Sequence, residues 1–294
     1  MLQFSDTKGL VLADTLCCGQ CFRWQPVPGG WQGIVAGRAV LASQQPGGAL
    51  EITGLAGYTP ETEPVFWEQY FALDLDYPAL QARFAAAHPS LAMCVAAAPG
   101  IRVLRQPFFE TLLTFLISQN NNIPRIQGIV ARLCSRFGTP LGGELYAFPT
   151  PEQLAGRSAA ELDCLRAGWR AAWLAEAAGQ AAAGQLSEAA LARLSTARAR
   201  DALMQLRGVG PKVADCTLLY GLGRWDAYPV DVWIRRADEA LFPARVRDVG
   251  RYLNRRTGGH AGIAQQYIFA WARRNLPAGS GGGAHDLQKS RPTD

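Results

Sequence analysis

Lys212 and Asp231 carry the side chains best suited to covalent chemistry in this chain. Of 29 basic residues only Lys8, Lys212 and Lys289 are lysines, and the first and last lie near the termini. Lys212 opens a helical pattern, where a cation opposes the helix dipole. An amine can lose its proton and attack a carbon, whereas a guanidinium keeps its charge. Asp231 follows Pro229 and precedes the helical run Val232-Trp233-Ile234-Arg235-Arg236. A carboxylate there can stabilise a developing positive charge. Each residue also has a plainer reading. Lys212 would serve as a phosphate-binding lysine, and Asp231 as the N-cap of its helix. The residues alone leave both pairs of readings open.

Lys212 is positioned by Gly208-Val209-Gly210, which separates helical patterns at 197–206 and 212–222. Glycines let the backbone approach a ligand closely, and the unpaired amides at the start of the second helix suit a phosphate. Pro211 fits the first helical turn, where its missing N–H is no loss. The rest of residues 99–276 also reads as helical. Ile126, Ile129, Val130, Leu133 and Phe137 share one face, and Gly138 ends it. Ser158-Ala159-Ala160-Glu161 reads as a capping box, and residues 170–184 as an Ala-rich helix. Residues 1–98 differ. Short apolar runs at Phe22–Trp24, Trp31–Val35, Ala39–Leu41 and Leu50–Ile52 are broken by Pro28-Gly29-Gly30 and Pro46-Gly47-Gly48, a pattern of antiparallel hairpins. Residues 64–98 then turn helical. The fold class expected is α+β, an antiparallel β-rich domain followed by a mostly helical one. Residues 277–294, rich in Gly and polar groups, are expected to form a disordered tail.

The first hundred residues carry a net charge of −4 and the remainder +9, so the basic excess lies with the glycine hairpin, as a nucleic-acid binder requires. Ordinary surface charge would give the same number. No apolar run is long enough to span a membrane, and the N-terminus lacks a secretory pattern. Seven unpatterned cysteines fit reduced thiols in the cytoplasm. Cys17, Cys18 and Cys21 lack the matching partners a structural metal site needs.

Four ordered segments together resemble the helix-hairpin-helix-Gly/Pro-Asp superfamily of DNA glycosylases, and in particular its 8-oxoguanine family. They are Gly19-Gln20-Cys21-Phe22-Arg23-Trp24, Asn120-Asn121-Asn122-Ile123 with Arg125, Leu206 to Asp231, and Gln265 to Phe269. They span roughly residues 10–276, and four matches in order are more specific than one motif. The resemblance implies a helix-hairpin-helix glycosylase domain. It makes Lys212 the nucleophile and Asp231 its electrostatic partner. Gly19, Cys216, Gln265 and Phe269 would line a pocket for a flipped damaged base. In the family the matching glycine's carbonyl accepts from N7–H of 8-oxoguanine, where normal guanine presents an acceptor. Asn120, Arg125 and Arg170 would contact the orphaned cytosine, and Trp169 would be the wedge. Gly208, Val209 and Gly210 would hold phosphate. The carbonyls of Met204, Leu206 and Val209 would hold a structural monovalent or divalent cation. Plainer readings stand beside these: Cys216, Phe269 and Trp169 as core, Gly19 and the Asn cluster as turns.

Two departures are visible. Eukaryotic relatives place a His two residues after the aspartate, where this chain has Trp233, and that histidine's carboxylate partner is replaced by Ala272. No cysteine follows Cys216, so the four-Cys iron–sulfur loop of related glycosylases is absent. The resemblance implies a bifunctional DNA glycosylase and AP lyase that excises 8-oxoguanine opposite cytosine without a redox cofactor. It would be a monomer acting on double-stranded DNA in a bacterial cytoplasm, nucleoid-associated and without membrane contact. The alternatives are a monofunctional alkyl-base glycosylase and a non-catalytic hairpin module that only binds DNA.

Overall fold

The computed structural model describes residues 1–277. The expected tail therefore lies, beyond Pro277, outside the described residues. Strands β1 (Leu2–Phe4), β2 (Trp24–Val27), β3 (Gly30–Val35), β4 (Arg38–Gln44) and β5 (Leu50–Gly54) form a five-stranded antiparallel sheet in the order β1-β5-β4-β3-β2. Alternation along β3 buries Trp31, Gly33 and Val35, which gives the sheet one apolar face. Both Pro-Gly-Gly segments turn as the sequence predicts, with Gly29, Gly30, Gly47 and Gly48 all at positive φ. The periodicity announces neither β1 nor, later in the chain, the short strands at Pro140–Gly142 and Leu145–Tyr146. Three residues are too few for a period, and Leu2 is placed only by pairing with Ile52. A short helix α1 (Leu12–Leu16) leads into the Gly19 loop, and α2 (Pro64–Tyr70) covers the sheet. The indole of Trp24 donates to the Tyr70 hydroxyl at 2.7 Å inside this small core.

Helices α3 (Tyr77–Ala87), α4 (Pro89–Ala97), α5 (Phe108–Ser118) and α6 (Ile123–Phe137) follow. A two-stranded hairpin, β6 (Pro140–Gly142) with β7 (Leu145–Tyr146), and the single turn α7 (Pro151–Leu154) lead to α8 (Arg170–Ala182) and α9 (Glu188–Ala192). The chain ends with α10 (Thr196–Leu203), α11 (Pro211–Cys216), α12 (Val232–Leu241), α13 (Val249–Thr257) and α14 (Ala261–Asn275). α5 is mostly apolar and buried from Thr111 to Ile117, so it forms the axis of the helical part. Ser158 and Glu161 form the expected capping box, but the segment they open, Glu161–Leu165, is a 3-10 helix. Packing also redraws the domain boundary at residue 98. Phe84, Leu91 and Cys94 belong to the helical core, with α3 and α4 lying against α13 and α14. The sheet's core instead ends at Leu73 and resumes at Leu104. Helix period alone cannot say which neighbour a helix buries its face against.

Gln20 joins the two parts. Fully buried, its amide donates to Thr15 O at 2.9 Å and Arg102 O at 2.7 Å, and its oxygen accepts from Leu104 N at 2.8 Å. A buried side chain with every polar atom satisfied fixes one geometry. The Gly19 loop is thereby held against the strap at residues 99–107.

Asp238 of α12 accepts from the Tyr228 hydroxyl at 2.8 Å. Burial first, then the charges of Asp248 and Glu239, push its carboxyl up from 3.8 to about 7. The folded chain holds this proton across a window in which the unfolded chain has released it. Stability should therefore fall as pH rises from 3.8 to about 7 and level off above. Urea unfolding across that window checks this, and an unchanged slope in Asp238→Asn would refute the assignment.

Candidate active site

The hairpin between α10 and α11 is closed by Val209 N donating to Leu206 O at 3.0 Å. Its two glycines differ in role. Gly208 sits at φ +85, and a Cβ there would run into the indole of Trp173 from α8. Gly210 caps α11 in extended conformation, and a Cβ there would meet nothing within 4 Å. Gly208 is thus demanded by conformation and packing, whereas Gly210 leaves open space at the start of α11. Gly208→Ala should cost about 2–4 kcal/mol, from the left-handed backbone and the overpacked ring together. Urea denaturation would show it, and a neutral result would remove Trp173 from this account.

The second hairpin helix is shorter than the sequence predicts. α11 ends at Cys216, and Thr217–Gly221 continue as a π-helical turn. The Thr217 hydroxyl donates back to Val213 O at 2.9 Å, and Gly221 lies with its Cβ position 3.2 Å from Phe108 Cα. Such turns recur at functional sites because they re-aim side chains. Here Tyr220 stacks on Phe115 at 5.4 Å, and its hydroxyl donates to Gln266 Oε1 at 2.6 Å.

Lys212 extends across α5. Its ammonium donates to Ser118 Oγ at 3.3 Å and lies 4.7 Å from the centre of the Phe115 ring. Cys216, one turn further along, is buried, and burial pushes its thiol up to about 12. The Lys212 charge pulls the thiol down and the Asp231 charge pushes it up. A thiol held protonated contributes shape and not a nucleophile. Asp231 does cap α12, with Oδ1 accepting from Ile234 N at 2.8 Å. The cap uses one oxygen, so the plainer reading and the chemical one are compatible.

Opposite this group stands α14. Gln265 is 3% exposed; its amide donates to Pro229 O at 3.2 Å, while its buried Oε1 has no partner. An unpaired buried acceptor costs about 1–3 kcal/mol, a cost a ligand donor would remove. Phe269 lies one turn along, and a Cβ on Gly19, at φ +80, would stand 3.8 Å from its ring. Gln266 donates to Cys18 O at 3.3 Å, which pins the Gly19 loop on α14. The structure therefore brings together Lys212, Asp231, Cys216, Gln265, Phe269 and Gly19, drawn from both ends of the chain.

On the other side of the cleft the three asparagines divide their work. Asn121 donates to Ile117 O at 3.1 Å, Asn122 caps α6 by accepting from Arg125 N at 3.0 Å, and Asn120 is exposed at φ +45. The turn reading thus accounts for Asn121 and Asn122, and leaves Asn120 and Arg125 facing outward. Trp169 is 51% exposed, which overturns its reading as core, and meets Trp173 edge to face, with ring centres 4.3 Å apart. Arg170, expected at the opposite base, is turned inward in this DNA-free structure. It is buried, and its guanidinium donates to the carbonyls of Ala167 at 3.2 Å, Asn120 at 3.3 Å and, by two nitrogens, Gln119. Carbonyls at the end of α5 lack helical partners, and Arg170 supplies them.

Residues 1–112 match the family model described as the N-terminal domain of 8-oxoguanine DNA glycosylase. The chain is 41% identical to the N-glycosylase/DNA lyase of Saccharomyces cerevisiae over 152 residues, 47% of this chain and 40% of the yeast protein. It is 32% identical to a probable N-glycosylase/DNA lyase of Methanothermobacter thermautotrophicus over 60% of this chain and 64% of that protein. The alignments thus span less than two thirds of either relative. The solved 8-oxoguanine glycosylase/lyase of Clostridium acetobutylicum, in complex with double-stranded DNA containing cytosine opposite 8-oxoguanine, superposes with a TM-score of 0.82; it is 32% identical over 91% of this chain and 93% of that one. The chain belongs to the 8-oxoguanine glycosylase/lyase family.

In this member of the 8-oxoguanine glycosylase/lyase family two guanidinium groups approach Trp233, two residues after Asp231. The guanidinium of Arg236 lies 5.5 Å from the Trp233 ring and that of Arg273 lies 5.1 Å from it. Burial lowers the Arg273 pKa, and the Asp231 charge opposes that shift. Sequence reasoning also missed Gln20, Phe115, Ser118, Gln119, Tyr220 and Gln266. Gln20 and Gln266 sit inside segments already singled out, but nothing in the sequence marks Phe115 as the ring beneath Lys212. Burial pushes the Cys18 thiol up to about 12 and raises that of Cys21, so both are packing groups. Among the described residues no group of three or more His, Cys, Asp or Glu is disposed to hold a metal ion. No described helix is long and apolar enough to cross a membrane.

Proposed function

We propose that this protein is a bifunctional DNA glycosylase and AP lyase that removes 8-oxoguanine opposite cytosine from double-stranded DNA. The observation that carries the reading is Gln265 Oε1, buried without a partner beside the segment that ends in Asp231. The Watson–Crick edge of a flipped guanine-type base offers N1–H and N2–H donors to such an acceptor. Phe269 supplies a face for the base to stack on. The Gly19 carbonyl accepts N7–H of the oxidised base; unmodified guanine would set a lone pair against it, at a cost of about 1–3 kcal/mol.

Bond changes then follow from the residues present. Lys212 Nζ, as the free amine, attacks C1′ and the N-glycosidic bond breaks, its electron pair leaving with the base; the proton shed by the new C1′–Nζ ammonium neutralises the departing base and leaves a secondary amine. Asp231 stabilises the oxocarbenium-like charge at C1′. The secondary amine opens the sugar to a Schiff base on Lys212. Loss of a C2′ proton then expels the 3′ phosphate and nicks the strand. Nothing is oxidised or reduced, so no redox cofactor is required. Asn120 and Arg125 contact the orphaned cytosine, Trp169 fills the gap in the stack, and the amides of Gly208, Val209 and Gly210 hold phosphate.

The carbonyls of Met204, Leu206 and Val209 suit a cation weakly held by neutral oxygens, monovalent or divalent. Leu206 O already accepts from Val209 N, and its second lone pair remains for the ion. The Met204, Leu206 and Val209 oxygens would hold it at the hairpin, where it would bridge to a phosphate. The protein is proposed to act as a monomer on the nucleoid of a bacterial cytoplasm.

The test compares a duplex carrying one 8-oxoguanine opposite cytosine with its undamaged counterpart, in the presence of borohydride. The expected result is a covalent protein–DNA complex, and without borohydride a nick 3′ to the lesion, on the damaged duplex only. Base release with an intact strand would overturn the lyase half. Binding without release would leave a DNA-binding module.

A further inference from the structure

Gln119 stands where the two sides of the cleft meet. Its main-chain carbonyl takes two Arg170 nitrogens, and its side-chain amide donates to Gly208 O of the hairpin at 3.0 Å. Ser118, its neighbour, holds Lys212 Nζ at 3.3 Å and donates its own hydroxyl proton to Phe115 O at 2.8 Å. A second route runs beside the first. Arg170 lies 4.0 Å from the Trp169 ring, Trp169 meets Trp173, and Trp173 covers Gly208. Both routes join the Asn120 turn to the hairpin that carries Lys212, and they share Arg170 at one end.

Arg170 grips the Asn120 turn by its main-chain oxygens. In the structure its fork lies on the Gln119 and Asn120 carbonyls. Cytosine offers O2 and N3 as adjacent acceptors, a pair that a planar fork can take in their place. Adenine offers N1 alone on that edge, and so leaves the fork where it is. We propose that Gln119 is a positioning residue through which the base opposite the lesion is reported to Lys212, so that base release depends on which base stands there. Transfer of Arg170 to cytosine strips the donors from the Gln119 carbonyl, and the last turn of α5 reseats. The Gln119 amide and the Ser118 hydroxyl carry that movement to Gly208 and Lys212. The coupling is a difference in free energy between two arrangements of one side chain, as coupling between sites requires.

This inference rests on the function proposed above, and one experiment separates the two. Single-turnover release of 8-oxoguanine opposite cytosine and opposite adenine is measured for wild type, Gln119→Ala and Gln119→Glu. The Glu variant keeps the side-chain length and loses the amide donor, and so serves if the Ala variant melts. The expected result is a cytosine-over-adenine rate ratio compressed by about tenfold in both variants. Equal slowing opposite both bases, with the wild-type ratio kept, would overturn the inference and leave Gln119 a structural residue. Wild type that releases no 8-oxoguanine opposite either base would overturn the function itself.

Discussion

Lys212→Gln should form no covalent complex on borohydride trapping and should nick an 8-oxoguanine duplex at least about 10⁴-fold more slowly. Gln keeps most of the length and a donor for Ser118 Oγ, which lies 3.3 Å from Nζ, so the site should keep its shape while losing its nucleophile. Affinity for the lesion duplex should change little. The competing role makes a different prediction. A lysine that only neutralises a phosphate would, on removal, weaken binding to every sequence and lower the salt slope by about 0.9. Filter binding against salt, run beside the trapping assay, distinguishes them. Full base release by Lys212→Gln would end the nucleophile assignment.

Asp231→Asn separates two jobs that one carboxylate performs. Asn is as good an N-cap as Asp, so the bond to Ile234 N should survive and stability should hold within about 0.5 kcal/mol. The negative charge beside C1′ is lost, and base release should fall about 10²–10³-fold. Asp231→Ala loses both, and should add about 1 kcal/mol of destabilisation to the same kinetic defect. Urea midpoints and single-turnover rates for the two variants decide the matter. A normal rate in Asp231→Asn would leave Asp231 a cap and nothing more.

Much of the site was legible because its residues break local expectations. A lysine at a helix start in an arginine-rich chain, two glycines around a valine, and an aspartate ahead of a Val-Trp-Ile run are all visible without coordinates. The helices from 126 to 137 and from 170 to 182 were legible because helix period and capping act over a few residues. The π-helical turn was not, because it arises where Thr217 and Gly221 pack on α5 and not from local propensity. Arg170 reads as a surface cation by type, yet it is buried because distant carbonyls at the end of α5 need donors.

The sequence by itself determined where most helices and strands fall, where the chain turns and which side chains offer an amine or a carboxylate suited to chemistry. These depend on backbone preference and side-chain chemistry, which are properties of a residue and its near neighbours. Only the tertiary structure decided that Gly19 lies over Phe269, that Gln265 Oε1 is left without a partner, and that Gln119 stands between Arg170 and Gly208. Those facts depend on which surfaces are buried together and which polar atoms are satisfied there. Burial and hydrogen bonding are settled between segments far apart in the chain, as in the bond from Gln266 to Cys18 with its separation of 248, where no local pattern reaches.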